Sequence, residues 1–388
     1  MKEKIRIGDV CTVVSGSTPK TNVLEYWDGD IDWITPAELD ENTLVVNESA
    51  RKITRLAVEK TGLKPLPKGT VILSSRAPIG KVAIAGKEMF CNQGFKNIIC
   101  SQSIYNEYLY WFLKGNTEYL NSLGRGVTFK EISKGIVEDI RIALPSVDEQ
   151  RYIADILKVC WETKIKQNRL LEYLNILVKS RFIEMFGEPE NNNKAWPVKP
   201  LDKLCAVGSS KRVYQSEQGF EGVPFWRISD LVSKIDTGTV DSTLFISEIK
   251  YTELKRSGLV PVTGDILVTS RGTLGRCYII KDEDRFYFQD GMISWLSNYS
   301  EEITPLYLQY LFTMSGFRKQ IDNMQAGSTV AYLSIAMLKK LQVMVPDKAL
   351  QDHFAAFVTQ IDKSKAVIQK SLEETQQLFD SLMQKFFS

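Results

Sequence analysis

The sequence predicts an α+β protein made twice over, with two similar mixed α/β domains, each followed by one long helix. Three observations carry that expectation. Glycine and proline, scattered elsewhere, vanish together from two stretches. Apolar residues in those stretches recur at alternating spacings of three and four. The segments around them repeat at a fixed distance along the chain.

No proline occurs between Pro145 and Pro189 and no glycine between Gly135 and Gly187; likewise none of either follows Pro346. These two residues break helices most strongly, so their joint absence over so long a span is a helix signal. In the first stretch Ile153, Ile156, Cys160, Leu170, Leu174 and Leu177 form an apolar seam, with Thr163 and Gln167 as weak positions. In the second, Phe354, Phe357, Ile361, Ile368, Thr375, Leu378 and Leu382 do the same, with Ser364 and Ser371 in the seam. An approximate heptad of this kind belongs to a long paired helix. Ser146 with Glu149 has the pattern of a capping box and Asp347 is suited to an N-cap. A break near Lys164–Asn168 would split the first helix in two.

The repeat is explicit. LPKGTVILSSRAPIGK (66–81) matches PVTGDILVTSRGTLGR (261–276). Gly126, Thr128, Ser133, Pro145 and Gln150 pair with Gly327, Thr329, Ser334, Pro346 and Gln351 at an offset of 201. Cys11 and Cys205 share a position, and Trp33 is aligned with Trp226. The domains read as 1–145 and 187–346, and the helices as 146–186 and 347–388, with the polar run Gly187–Trp196 as the joint. Within each domain, short β-rich runs (Thr70–Ser74, Ile98–Cys100, Asp265–Thr269) alternate with turns, and helical patterns follow at Ile104–Leu113 and Leu306–Phe312.

Composition removes whole classes of chemistry. A chain of 388 residues with 25% charged and 44% hydrophobic residues is an ordinary folded protein, and a net charge of +2 excludes a histone-like polycation. With one histidine, His353, no metal cluster rich in histidine can form, and any Ser-His-Asp or Cys-His system would have to use that residue. The six cysteines contain no CxxC pair and read as reduced, mostly buried thiols of a cytoplasmic protein. There is no GxxxxGK[ST] loop, no Asp/Asn-Pro-Pro-aromatic motif of amino methylation and no GxGxxG after a strand. No stretch is apolar enough to span a membrane. The expectation is a reader and scaffold that is not catalytic by itself.

The opening IGDVCTVVSGSTPKTNVLEYWDGDIDWITPAEL, the paired SSRAPIGK and TSRGTLGR segments, the GVTF and GSTV turns and the two long helices together resemble the specificity subunit of type I restriction-modification enzymes. The resemblance implies two target-recognition domains in pseudo-two-fold arrangement, held apart by antiparallel coiled-coil helices, each domain reading half of a bipartite, asymmetric site in double-stranded DNA. It further implies two modification (methyltransferase) subunits that carry S-adenosylmethionine and methylate adenine, and two restriction (translocase/nuclease) subunits that use ATP and magnesium. This chain itself would bind no cofactor and no metal. A scaffold free of DNA, with two protein-binding domains on a coiled coil, is the alternative; an enzyme with an unfamiliar site is a third.

Candidate DNA contacts follow from residue type and place. Arg76 and Arg271 occupy equivalent turns, where arginine either grips phosphate or guanine or holds the turn through carbonyls. Lys81 and Arg276, after the paired glycines, are phosphate candidates or solvated cations. The loop with Ser15, Ser17, Thr18 and Lys20, and the turns with Arg125, Thr128, Ser328 and Thr329, offer hydroxyl and N–H groups or serve as connectors. Lys211, Arg212 and Tyr214 form a basic-aromatic cluster where the copies diverge, which suits a role in specificity. Gln93 and Gln289, which pair with each other in matched NQG and FQD contexts, are core or base-contacting. Seam residues Ile153, Ile156, Leu170, Leu174, Leu177, Phe357, Ile361, Ile368, Leu378 and Leu382 are assigned to the coiled coil and subunit interface.

Overall fold

A computed structural model describes residues 4–76, 78–126, 130–325 and 331–387. The chain is α+β and divides into two compact units, residues 1–170 with 368–388 and residues 171–367.

In the first unit a five-stranded sheet runs in the order Cys11–Ser15, Phe95–Cys100, Val71–Ser74, Val82–Ala85, Val45–Val46. A three-stranded sheet (Lys52–Ile53, Trp27–Ile34, Phe90–Cys91) lies beside it in the chain, and Lys4–Arg6 pairs with Arg141–Ala143. The second unit repeats the plan. Its main sheet orders Ala206–Gly208, Ile293–Ser297, Ile266–Thr269, Cys277–Ile279, and a smaller one orders Gln218–Gly219, Phe245–Ile246, Val223–Trp226, Tyr287–Phe288. Val198–Pro200 pairs with Gln342–Met344. Among the described residues the first unit has two parallel pairs, Trp27–Ile34 with Phe90–Cys91 and Val45–Val46 with Val82–Ala85, and the second has one, Val223–Trp226 with Tyr287–Phe288; the other strand pairings are antiparallel. The strands are rich in Val, Ile and Phe on both faces because helices or loops cover both.

The long helices run unbroken over Val147–Phe186 and Lys348–Phe387, without a turn at 164–168. Ser146 Oγ accepts the Glu149 N–H at 3.3 Å, as a capping serine does. Each unit contains one part of each helix, and the two parts run antiparallel. In the first, Gln167 Nε2 donates to Ser371 Oγ at 2.9 Å, while Trp161 and Phe379 both pack on Trp111. In the second, Phe182 and Phe186 pack on Phe354 at 5.5 and 5.4 Å between ring centroids.

The seam needs correction. Ile153 is buried, and Ile156, Leu174, Phe357, Ile361, Ile368 and Leu382 are half-buried, but Leu170, Leu177 and Leu378 are exposed (45%, 46% and 52%). One residue along, Val178 is buried in the second core and Phe379 packs half-buried against the first, in the places expected of Leu177 and Leu378. The reason is geometric. A strict seven-residue pattern drifts by about 20° per heptad on a straight helix, and these helices pack chiefly on two separate globular cores. The first part of the first helix serves one core through Ile153, Ala154 and Leu157, and its last part serves the other through Val178, Phe182 and Phe186. The cysteines also depart from expectation: Cys91, Cys205 and Cys277 are buried, but Cys11, Cys100 and Cys160 are only half-buried. Cys11 and Cys100 face each other across a strand pair.

The helix roots explain the paired glutamines. Gln150 is fully buried; its Oε1 accepts the Tyr105 N–H at 2.7 Å and its Nε2 donates to the carbonyls of Ser103 (3.0 Å) and Pro145 (2.9 Å). Gln351, equally buried, accepts from Thr304 N at 2.9 Å and donates to Glu302 O and Pro346 O, both at 2.8 Å. An isosteric leucine would leave three backbone groups at the junction without their partner, each loss costing about 1–3 kcal/mol. Gln150→Leu or Gln351→Leu is therefore expected to lower stability by about 3 kcal/mol or more, read as a drop in the denaturant midpoint; an unchanged midpoint would refute the clamp.

Candidate nucleic-acid interface

The two repeated turns are the same object at the level of hydrogen bonds. Ser74 Oγ donates to Pro78 O at 2.7 Å and accepts the Lys81 N–H at 2.8 Å; Thr269 Oγ1 donates to Thr273 O at 2.5 Å and accepts the Arg276 N–H at 3.0 Å. Gly80 and Gly275 both have positive φ (98° and 69°), which explains the shared glycine. Ser75 N donates to Gly94 O, and Ser270 N to Met292 O. The next residue in each copy, Arg76 or Arg271, forms an isolated bridge with Glu131 or Tyr332, just ahead of the helix leading to the long one.

This brings several predicted residues to one end of each main sheet. In the first unit, Ser15 pairs with Lys96, and Ser74 with Phe95, at that end. The Ser15–Lys20 loop leaves from it, Gln93 N reaches Thr18 Oγ1 at 3.5 Å, and Arg125 bridges Glu131 beside Arg76. Ser15, Ser17, Lys20, Gln93 and Arg125 are exposed, and Thr18 and Arg76 half-buried. The loop is fixed by two indoles: Trp33 Nε1 donates to Ser17 O at 3.0 Å and Trp27 Nε1 to Lys20 O at 3.3 Å.

In the second unit Lys211, Arg212, Tyr214 and Arg271 are exposed and Gln289 half-buried. The Tyr287 phenol accepts the Lys211 N–H at 2.9 Å and donates to its carbonyl at 3.0 Å, so the cluster is anchored. Arg212 lies 5.9 Å from the Tyr214 ring and 3.7 Å from Asp290. Arg271 sits 5.1 Å from the Tyr332 ring. Among the described residues, neither the Arg76 nor the Arg271 guanidinium bonds a carbonyl or a carboxylate, which leaves their donors available. Thr128, Ser328 and Thr329 lie outside the described residues.

Lys81 and Arg276 are placed differently. The Lys81 ammonium donates to Pro36 O (3.0 Å) and Leu39 O (2.6 Å). Arg276 makes a two-pronged pair with Asp236, raising the guanidinium's affinity for its proton and holding the carboxyl below the usual range. Both cations brace their own domain.

Two pairings shift by one residue. By strand register Trp33 corresponds to Phe225 and Ile34 to Trp226. Asn92 N donates to Ile34 O as Gln289 N donates to Trp226 O, so Gln289 corresponds to Asn92 and not to Gln93. A slip of one places the two tryptophans on opposite faces of the strand; the first copy's WDGDIDWI alternates with aspartates, but the second copy's VPFW is four residues long and apolar on both faces, with no alternation to match against it. The sequence reading also missed Lys96. Its ammonium, in a side chain 8% exposed, meets Glu131 at 3.0 Å, where the second unit has a Ser270–Ser294 hydroxyl pair at 2.7 Å. A lysine inside a β-rich run was the available signal. Among the described residues no group of His, Cys, Asp and Glu is arranged to hold a metal ion, and no helix is long and apolar enough to cross a membrane.

The sequence pattern described as the type I restriction modification DNA specificity domain matches residues 2–174 and again residues 193–377. The chain belongs to that family. The type I restriction enzyme MjaIX specificity subunit of Methanocaldococcus jannaschii is 31% identical over 408 residues, covering 98% of this chain and 91% of that protein. The MjaVIII specificity subunit of the same organism is 23% identical over the same shares. The crystal structure of a type I restriction-modification S subunit from M. genitalium aligns with 100% of this chain and 96% of its own at a TM-score of 0.61 and 18% identity, so the fold is shared. As a type I specificity chain, the protein supplies recognition of DNA sequence and not catalysis.

The placement of Lys81 separates bracing from binding. Lys81→Met is expected to cost about 1.5–3 kcal/mol of stability and leave the salt dependence of DNA binding unchanged. A salt slope reduced by about one, as for a lost phosphate contact, would contradict the placement.

Proposed function

We propose that each unit reads one half of a bipartite, asymmetric DNA site through the exposed end of its main sheet. The long helices scaffold the catalytic subunits of a type I restriction-modification enzyme. The observation that carries this reading is a shared backbone frame bearing different side chains. The turns at Ser74 and Thr269 match bond for bond, while the residues displayed around them differ: the Ser15–Lys20 loop, Gln93 and Arg125 in one unit, Lys211, Arg212 and Tyr214 in the other. A common frame with unlike displays suits two unlike half-sites. Near-neutral net charge fits binding confined to local clusters of this kind.

The structural likeness includes a chain from a study of complex assembly and conformational transition of the type I R-M system, aligned over 99% of this chain at a TM-score of 0.59. Assembly with modification and restriction subunits, two of each, is the arrangement we assign to this chain. S-adenosylmethionine then belongs to the modification subunits, and ATP with magnesium to the restriction subunits. The double-stranded site is held by Arg76, Arg125 and the Ser15–Lys20 loop in the first unit, and by Arg271 with the Lys211–Tyr214 cluster in the second.

Exchange of residues 1–145 for the first domain of another family member tests the reading. Adenine-methylation mapping is expected to show one half-site changed and the other kept. Change in both half-sites would overturn independent recognition.

A further inference from the structure

Arg51 stands on a platform of two tryptophans. Its guanidinium carbon lies 4.0 Å from the centroid of Trp27 and 5.5 Å from that of Trp33. The two rings meet edge to face at 5.1 Å and are themselves buried, at 8% and 2% exposure. Arg51 is exposed, and among the described residues its guanidinium meets no carboxylate. Its backbone is tied down: the Arg51 carbonyl accepts from Trp33 N at 3.3 Å and from Ser49 Oγ at 2.6 Å. Ser49 N in turn donates to Asp32 Oδ1 at 2.8 Å. Burial would lift the Asp32 carboxyl, but Lys87 at 2.7 Å, the Ser49 N–H and Lys52 hold it below the ordinary carboxylate range. The same two indoles pin the Ser15–Lys20 loop, so that loop and Arg51 share one rigid support.

The second unit supplies the comparison. Phe225 N donates to Leu244 O at 2.8 Å as Trp33 N donates to Arg51 O. Ile246 pairs with Gln218 and Val223 as Ile53 pairs with Trp27 and Ile31. The positions of Arg51, Trp27 and Trp33 are therefore filled by Leu244, Gln218 and Phe225. The backbone is kept and the whole arginine-on-tryptophan assembly is absent from the other copy.

We propose that Arg51, held by Trp27 and Trp33, is a specificity-determining residue of the first unit that reads a guanine of its half-site. The proposal rests on the DNA-recognition reading above. A guanidinium over an aromatic face keeps its edge donors free, and these match the adjacent O6 and N7 acceptors of guanine. Fixing the side chain beforehand lessens the ordering cost of a two-point contact. A phosphate contact requires no such platform, and a feature common to all DNA would not be confined to one copy.

The test uses the full chain in complex with its modification subunit and a library of random duplex DNA. Bound molecules are sequenced at two salt concentrations, and thermal unfolding checks each variant. Arg51→Leu, the residue type of the second unit at this place, is expected to reduce preference for guanine at one position of the first half-site by about 5- to 100-fold. The second half-site stays as it was. Arg51→Lys, which keeps the charge without the fork, is expected to show the same loss, and decides the matter if Arg51→Leu fails to fold. Uniform weakening with guanine still selected and a reduced salt slope would mean a phosphate contact and overturn the proposal. So would an unchanged site, or damage to both half-sites. If the unaltered complex selects no two-part sequence, the recognition reading itself fails, whatever the variants do.

Discussion

Each globular domain is bolted to the start of its long helix by one buried glutamine, and the rest of the architecture depends on that junction. Gln150 and Gln351 each close the last loop before their helix and the loop that opens an earlier helix of the domain, using both ends of one amide. Apart from asparagine, which is one methylene shorter, no other side chain supplies an acceptor and two donors in one planar carboxamide. Around each amide the aromatic core closes in: Tyr108 donates to Ala143 O at 2.9 Å, and Tyr307 to Met344 O at 3.0 Å. Each domain is thereby hydrogen-bonded to its own helix root through one side chain.

The duplication separates what must be kept from what is free to change. Backbone bonds that shape the turns survive in both copies, down to a serine replaced by threonine at the same hydroxyl. Side chains on that frame have drifted in kind: a buried Lys96 paired with a half-exposed Glu131 in one copy, two serines in the other. Burying the lysine ammonium carries a desolvation cost that a half-exposed carboxylate offsets only in part, so the pair's place beside Arg76 and Arg125 is better explained by arrangement of the turn, whose Glu131 bridges both arginines, than by energy.

Much of this was legible because repetition and breaker residues report on backbone requirements. The helix starts, the turn glycines and the paired glutamines all answer to hydrogen bonds or to φ, and these leave fixed marks at fixed spacings. What escaped reading depends on contacts remote in sequence. Lys81 and Arg276 look alike as cations after a glycine, yet carbonyls at 36 and 39 or the carboxylate of Asp236 claim them. Leu177 and Leu378 fit the heptad, but the cores that receive the helices select Val178 and Phe379. The tryptophan pairing slipped by one residue because the second copy's strand, four residues apolar on both faces, has no period to set against the alternating WDGDIDWI.

If the two units are interchangeable readers, a fragment of residues 1–188 keeps the ability to recognise DNA. Alone, its helix leaves Val178, Phe182 and Phe186 without the second core that buries them in the full chain. Uncovered apolar faces seek a partner, and a second copy of the fragment can pair with it isologously. Sedimentation with adenine-methylation mapping, in the presence of the modification subunit, should show a two-fold dimer reading a palindrome of the first half-site. A folded monomer, or a dimer reading an asymmetric site, would mean that the two units are not interchangeable.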